Sequence, residues 1–270
     1  MCGRFTLRVP VNIALAQFLL EVGEPFRPRY NIAPTQSVPV ARLMPSRAVA
    51  ADASSFTVPA WIPRLDQLPW GLVPVWAKTP RQNPPLINAR CETVATKPAF
   101  RAAFKRRRCL VPADGYFEWR KEGQMKQPYF IRMRDEGIYW MAGLWERWQP
   151  ASAASSRPID STDSSSAESR SGDSHPAGSS PGDTKSCDSF AILTTAGNEL
   201  TQRVHDRMPV ILRPEHYELW LSQEPLDEAS LAQICAPFDS AAMHMDRVSR
   251  HVNSPRHDDP ECVQVVRELF

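Results

Sequence analysis

The 270-residue chain carries 32 basic and 30 acidic side chains and is 42% hydrophobic, so it is nearly neutral overall and holds enough apolar material for a substantial core. No stretch approaches the roughly 18 uninterrupted apolar residues of a membrane span, and the amino-terminal segment lacks the apolar region of a signal peptide; a soluble, cytoplasmic protein is expected. Six scattered cysteines with no C-x-x-C pair give neither zinc-finger spacing nor a dense disulfide framework, and no metal or other cofactor is expected.

In chain order, Asn12 is a cap for a helix running to residue 20, and 37–43 reads as a strand. An Ala/Ser/Pro-rich surface loop follows near 45–60. Pro98 suits the first turn of a helix on which Lys97, Arg101, Lys105 and Arg108 share one face beside Phe100 and Phe104. Strands are expected over 108–112, 129–134 and 138–143. Residues 151–189 hold fourteen serines and, in Ile159, a single large aliphatic residue. Such a segment cannot offset its ordering entropy by burial, so it reads as a disordered insertion within one domain. An apolar strand over 190–195 follows, then helices over 214–221 and 227–235. Strands with helices at their sides and no regular βαβ alternation indicate an α+β fold with a mainly antiparallel sheet.

The near-neutral total conceals an asymmetry: residues 1–150 carry a net charge of +11, whereas 151–189 carry −3 and 215–270 carry −7. The densest basic run, 97–108, reads first as a solvated helix face docked by its phenylalanines and second as a contact surface for phosphates.

Chemistry-bearing groups are concentrated in the basic part. Cys2 follows the initiator Met1; with Met1 removed, its α-amine and thiol would sit on adjacent carbons. An α-amine with a pKa near ~8 is partly unprotonated at neutral pH. It can condense with an aldehyde to an imine onto which the thiol closes a thiazolidine ring, or it can serve the thiol as a base. Glu118 lies between aromatic residues, surroundings that raise a carboxyl pKa toward acid–base work. His205 has an acid and an arginine beside it, and Asn88-Ala89-Arg90 follows an apolar run. Each of these alone also fits a structural role.

Together they form an ordered set. Met1-Cys2-Gly3-Arg4-Phe5, Arg29-Tyr30-Asn31-Ile32-Ala33-Pro34-Thr35, Trp70-Gly71-Leu72-Val73-Pro74-Val75-Trp76, Ile87-Asn88-Ala89-Arg90-Cys91-Glu92-Thr93, Gly115-Tyr116-Phe117-Glu118-Trp119 and His205-Asp206-Arg207-Met208-Pro209 closely resemble the motifs of the SRAP family, abasic-site-processing proteins that crosslink to DNA. The resemblance implies an α+β fold around a curved, partly barrel-like antiparallel sheet flanked by helices. It implies that Cys2 forms a thiazolidine with the ring-opened aldehyde of an abasic site in single-stranded DNA. Asn88 would orient the amine, Glu118 would act as general acid/base and assist Met1 removal, and His205 would shuttle a proton. Arg4, Arg90 and Arg207 would hold phosphates, and Pro34 and Trp76 would support neighbouring bases. The implied protein is a monomer, associated with the nucleoid if bacterial. Two other readings remain: a peptidase using Cys2 or Glu118 on polypeptides, and a noncatalytic single-strand binder in which Cys2 is incidental.

Overall fold

The computed structural model describes residues 2–9, 27–45, 61–80, 84–150 and 186–266. Thirteen strands are present among them. In chain order they are β1 (Arg4–Leu7), β2 (Arg29–Ile32), β3 (Ser37–Pro45), β4 (Trp61–Pro69), β5 (Asn88–Arg90), β6 (Arg108–Ala113) and β7 (Gly115–Glu122). After these come β8 (Met125–Met133), β9 (Tyr139–Trp148), β10 (Cys187–Ala196), β11 (Arg207–Pro209), β12 (Ile211–Leu212) and β13 (Met243–Arg247). They build two curved sheets, neither closed into a barrel: β13-β8-β7-β1-β2, and β11-β10-β9-β6-β3-β4 with β12 on β9 and β5 on β10. The named strand pairs are antiparallel except β5 with β10. Three short helices, α1 (Arg101–Arg106), α2 (Tyr217–Leu221) and α3 (Glu228–Ile234), lie at the sides. The α+β expectation is therefore met. No helix among the described residues is long and apolar enough to cross a membrane.

The main core lies between the sheets. Phe5, Tyr116 and Ile131 from the first meet Val40, Leu110, Trp140 and Phe190 from the second, all essentially buried. A smaller core of Phe117, Phe130, Val248, Val252 and Cys262 covers the other face of the first sheet with the carboxy-terminal segment. That segment is held by polar bonds as well. Asp258 Oδ1 accepts the backbone N–H groups of Tyr30 and Asn31 at 2.6 and 2.9 Å, and Asn31 Nδ2 donates to the carbonyls of Ser254 and His257 at 3.0 and 2.7 Å.

Several expected boundaries shift. The helix expected over 12–20 and nearly all of the loop near 45–60 lie outside the described residues, as does the insertion up to residue 185. Its last residues belong to the sheet, because Cys187, Asp188 and Ser189 pair with Trp148, Arg147 and Glu146. The helix expected across 97–108 is shorter. Phe100 and Phe104 are buried as anticipated, but Arg107 leaves helical geometry and Arg108 enters β6 opposite Leu144. Arg108 is thus no part of a solvated face. Its guanidinium donates to the carbonyls of Trp220, Phe104 and Glu224 at 2.6, 3.0 and 2.8 Å, and burial lowers its pKa to about 10.

The β6–β7 corner governs the amino terminus. Asp114, fully buried, accepts hydrogen bonds from the Thr6 hydroxyl, the backbone N–H groups of Arg8 and Val9, and Arg8 Nε. Gly115 follows because a Cβ there would meet the Phe130 ring at 2.2 Å. Replacing Asp114 by Ala strands three buried or half-buried donors and an arginine. A destabilisation of about 2–4 kcal/mol is expected, read as a lowered urea midpoint with an unchanged slope. An unchanged midpoint would show that β1 is held by its strand pairing alone.

Candidate active site at the amino terminus

The register of β1 on β7 sets Arg4 opposite Phe117 and Phe5 opposite Tyr116. Continued one step toward the terminus, that register carries residues 2–3 alongside Glu118. Cys2 is buried and packs into the main core. Its carbonyl accepts a hydrogen bond from Asn88 Nδ2 at 2.7 Å. Asn88 is placed by the parallel pairing of β5 on β10, opposite Ile192. The other amide atom, Asn88 Oδ1, is buried without a hydrogen-bond partner among the described residues. A buried acceptor left without a donor is uncommon and is available to an incoming N–H group.

Glu118 is 3% exposed. Burial pushes its carboxyl up to about 7, with the charge of the chain's amino terminus pulling the other way. It can therefore both donate and accept a proton near neutral pH. The Cys2 thiol is also raised, first by burial and then by the nearby Glu118 charge, so it rests protonated. His205 sits in the turn before β11, where its backbone N–H donates to the Thr201 carbonyl at 2.8 Å. A Cβ at Gly197 would crowd that turn, meeting the Thr201 hydroxyl at 2.8 Å and the His205 carbonyl at 3.0 Å. His205 Nδ1 accepts the Arg207 backbone N–H at 2.9 Å. Nδ1 also lies 2.8 Å from Asp206 Oδ1, and burial lowers the histidine pKa, favouring the neutral ring.

Glu118 and His205 open onto one cavity of about 520 Å³, lined also by Arg4, Trp119, Lys126 and Asn253. Arg4 is half-buried there. It donates to Asn31 Oδ1 at 2.8 Å and to the Val252 carbonyl at 3.1 Å, with its guanidinium 6.0 Å from the Trp119 ring centre. The structure thus brings together Cys2, Asn88, Glu118, His205 and Arg4. Arg90 and Arg207 meet a short distance away, both at Thr194: Arg90 pairs with it across β5 and β10, and Arg207 Nη2 donates to its carbonyl at 2.6 Å. Arg207 is not idle, since Glu92 grips it with both carboxylate oxygens and raises its pKa.

Pro34 and Trp76 are not among the residues lining the cavity. Pro34 begins a turn whose next residue, Thr35, has a φ of 73° and donates its N–H to the Trp70 carbonyl. Trp76 is 62% exposed in the loop after β4. The aromatic on the cavity rim is Trp119, held by its Nε1 bond to Asn253 Oδ1 at 2.7 Å. Sequence reasoning missed it, along with Lys126 and Asn253. Trp119 stands next to Glu118 in the motif, but alternation along β7 sends neighbours to opposite faces, so adjacency alone does not reveal that both border the cavity. Tyr116 and Tyr139 were missed too. Both are buried beside Cys2, and their hydroxyls have no hydrogen-bond partner among the described residues.

Fold and site together define a protein whose polar and titratable groups converge on its own amino terminus, with a buried carboxyl and an imidazole on one side and cations around the opening. Residues 1–255 match the SOS response associated peptidase (SRAP) family, and the chain belongs to it. Relatives include the abasic site processing protein YoqW of Bacillus subtilis, 32% identical over 98% of this chain and 99% of that one. The abasic site processing protein YedK of Escherichia coli is 31% identical over 98% and 100%. The abasic site processing protein HMCES of Gallus gallus is 30% identical over 88% of this chain and 66% of its own length. A crystal structure of a Bacteroides thetaiotaomicron protein superposes with a TM-score of 0.71 at 24% identity, covering 98% of this chain and all of that one.

Because Glu92 occupies the Arg207 fork, Glu92→Gln should free a cation. If Arg207 contacts a nucleic-acid backbone, non-covalent affinity for single-stranded DNA should rise several-fold at low salt, and the slope of log affinity against log salt should steepen by about 0.7. Equal affinity and slope in both proteins would place Arg207 outside the DNA contact.

Proposed function

We propose that this protein processes abasic sites in single-stranded DNA by forming a thiazolidine crosslink through Cys2 once Met1 has been removed. The observation that carries the reading is the convergence on Cys2 of the Asn88 amide, at 2.7 Å from its carbonyl, and the buried Glu118 carboxyl. The α-amine attacks C1′ of the ring-opened deoxyribose, and water leaves to give an imine. The Cys2 sulfur then adds to the same carbon and closes the ring, so amine, thiol and aldehyde become a thiazolidine plus one water. Since the thiol rests protonated, the amine acts first, and Glu118 takes the thiol proton as sulfur adds. Asn88 Oδ1 holds the amine, and neutral His205 passes the proton that opens the sugar. Arg4, Arg90 and Arg207 contact flanking phosphates. Pro34 and Trp76 support bases farther out, and Trp119 stacks at the rim. The protein acts as a monomer in the cytoplasm without a metal.

The test is intact mass of untagged, Met1-free protein after incubation with single-stranded DNA carrying one abasic site. A denaturation-stable adduct at protein plus oligonucleotide minus water, absent in Cys2→Ala, is the expected result. A processed protein giving no adduct, yet cleaving an unrelated polypeptide in a Cys2-dependent way, would overturn the reading in favour of a peptidase. The pH profile gives a second check. Crosslinking should show a limb with a midpoint near pH 7 that disappears in Glu118→Gln, with the rate falling about 10²-fold or more. A limb that survives the substitution would remove Glu118 from proton transfer.

A further inference from the structure

The carboxy-terminal segment that folds back over β7 gathers donors of three kinds. A ring nitrogen of His251, a carboxylate oxygen of Asp259 and the Cys262 sulfur all lie within 4.8 Å of one another. The histidine Nε2 is 3.0 Å from Asp259 Oδ2. Neighbouring groups aim these donors. Asp259 Oδ1 accepts the Glu261 N–H at 3.0 Å, capping a 3-10 turn over Pro260–Val263 and leaving Oδ2 for the histidine. His257 Nδ1 donates to the His251 carbonyl at 2.7 Å, and its ring lies flat on the His251 ring with centres 3.8 Å apart. The buried Cys262 thiol makes a long, 3.6 Å bond to the His257 carbonyl. The Asp259 side chain, 44% exposed, opens the group to solvent. Nitrogen, oxygen and sulfur donors in one small group suit a borderline-soft divalent ion, whereas magnesium and calcium take oxygen ligands.

We propose that His251, Asp259 and Cys262 bind a zinc ion that staples the carboxy-terminal segment. Three protein ligands leave the fourth tetrahedral position to water. Donors about 2.0–2.3 Å from a tetrahedral zinc stand roughly 3.3–3.8 Å from one another, so the separations present need shifts of about 1 Å or less. His251 offers its Nε2 lone pair and carries its proton on Nδ1, where Glu261 Oε2, 3.9 Å away, is placed to accept it. Cys262 releases its thiol proton to solvent as the zinc–sulfur bond forms. The ion ties residue 251 to residues 259 and 262 and so closes the loop between them. That loop presents the Val252 carbonyl to Arg4, Asn253 to Trp119, and Asp258 to the backbone of β2. The chemistry proposed for Cys2 uses no metal; this ion is structural and braces one wall of the cavity.

The test uses the full, reduced chain, stripped of metal with EDTA and titrated with cobalt(II) chloride as a spectroscopic stand-in for zinc. One cobalt per chain is expected, with a thiolate-to-cobalt charge-transfer band in the near ultraviolet that zinc chloride abolishes by displacement. Zinc should also raise the thermal midpoint by several degrees, because an ion that binds the folded chain stabilises it. Asp259→Asn keeps the oxygen that caps the turn, and His251→Gln keeps a polar side chain; each should weaken cobalt binding at least about tenfold. Cys262→Ser should lose the band. A free amino-terminal cysteine can itself chelate metal, so Cys2→Ala serves as the control and should retain band, affinity and stoichiometry. No binding by the unsubstituted chain, a band that persists in Cys262→Ser, or one that vanishes in Cys2→Ala would overturn the proposal. So would unchanged affinity in both Asp259→Asn and His251→Gln. None of these readouts involves DNA, so their outcome is independent of the abasic-site reading.

Discussion

The buried Asp114 carboxylate is what makes the rest of the site possible. A chain terminus is ordinarily the least ordered part of a domain unless a strand pairing or docking contact ties it down. Here the candidate reactive group is the second residue, so the terminus itself needs the precision of a core position. Asp114 supplies it by accepting the Thr6 hydroxyl and two successive backbone N–H groups, while β1 is paired on both sides by β7 and β2. The same turn that ends β6 at Asp114 begins β7 and delivers Glu118 four residues on. One corner thus fixes both the thiol and the carboxyl, and their relative position does not depend on distant loops.

That precision comes with electrostatic strain. Burial disfavours the charged form of Glu118 more than the positive amino terminus favours it, which is the origin of the upward shift. Between the ordinary carboxyl range and about pH 7 the folded protein retains a proton that the unfolded chain has released. Glu118 therefore contributes stability at low pH that is lost as pH rises through that window. A stronger cationic partner would remove the loss but would hold the carboxyl ionised and unable to donate. Function and stability pull in opposite directions at this one residue.

Local rules made part of this legible in the sequence. The helix expected over 227–235 matches α3 closely, and the Asp227 carboxylate caps it by accepting the Ser230 N–H. The strands over 37–43 and 138–143 were visible from their apolar runs, although β3 and β9 extend further. Short strands were harder: β1, β5 and β11 have three or four residues each and exist because a partner strand holds them. The run 97–108 misled because Arg108 reads as one more surface charge; only the fold reveals carbonyls waiting for it. At the site, the ordered motifs brought Cys2, Asn88, Glu118 and His205 into view. Trp119, Asn253 and Lys126 depend on how the carboxy-terminal segment folds back over β7, which no local pattern encodes.

The same distinction explains why the charge excess of residues 1–150 is a poor map of the DNA-facing surface. Much of it is consumed internally. Arg42 pairs with Asp66 and Asp188 and lies 4.1 Å from the Trp145 ring centre; Arg107 pairs with Glu146; Arg147 holds Asp188 with two bonds. Among the exposed cations with no ion pair among the described residues, two groups bear on the question. Lys97, Arg101, Lys105 and Arg106 sit around α1 near the Arg108 end of β6, about 20 Å by strand rise from the Asp114 end that holds the site. Lys126 lines the cavity, and Arg90 lies at the Thr194 strip beside Arg207. Only this second group, with Arg4, is near the candidate chemistry. A handful of phosphate contacts gives modest, salt-sensitive affinity. The proposed crosslink would need no more, because retention would then rest on the covalent bond and the contacts would have only to bring the aldehyde to the amine.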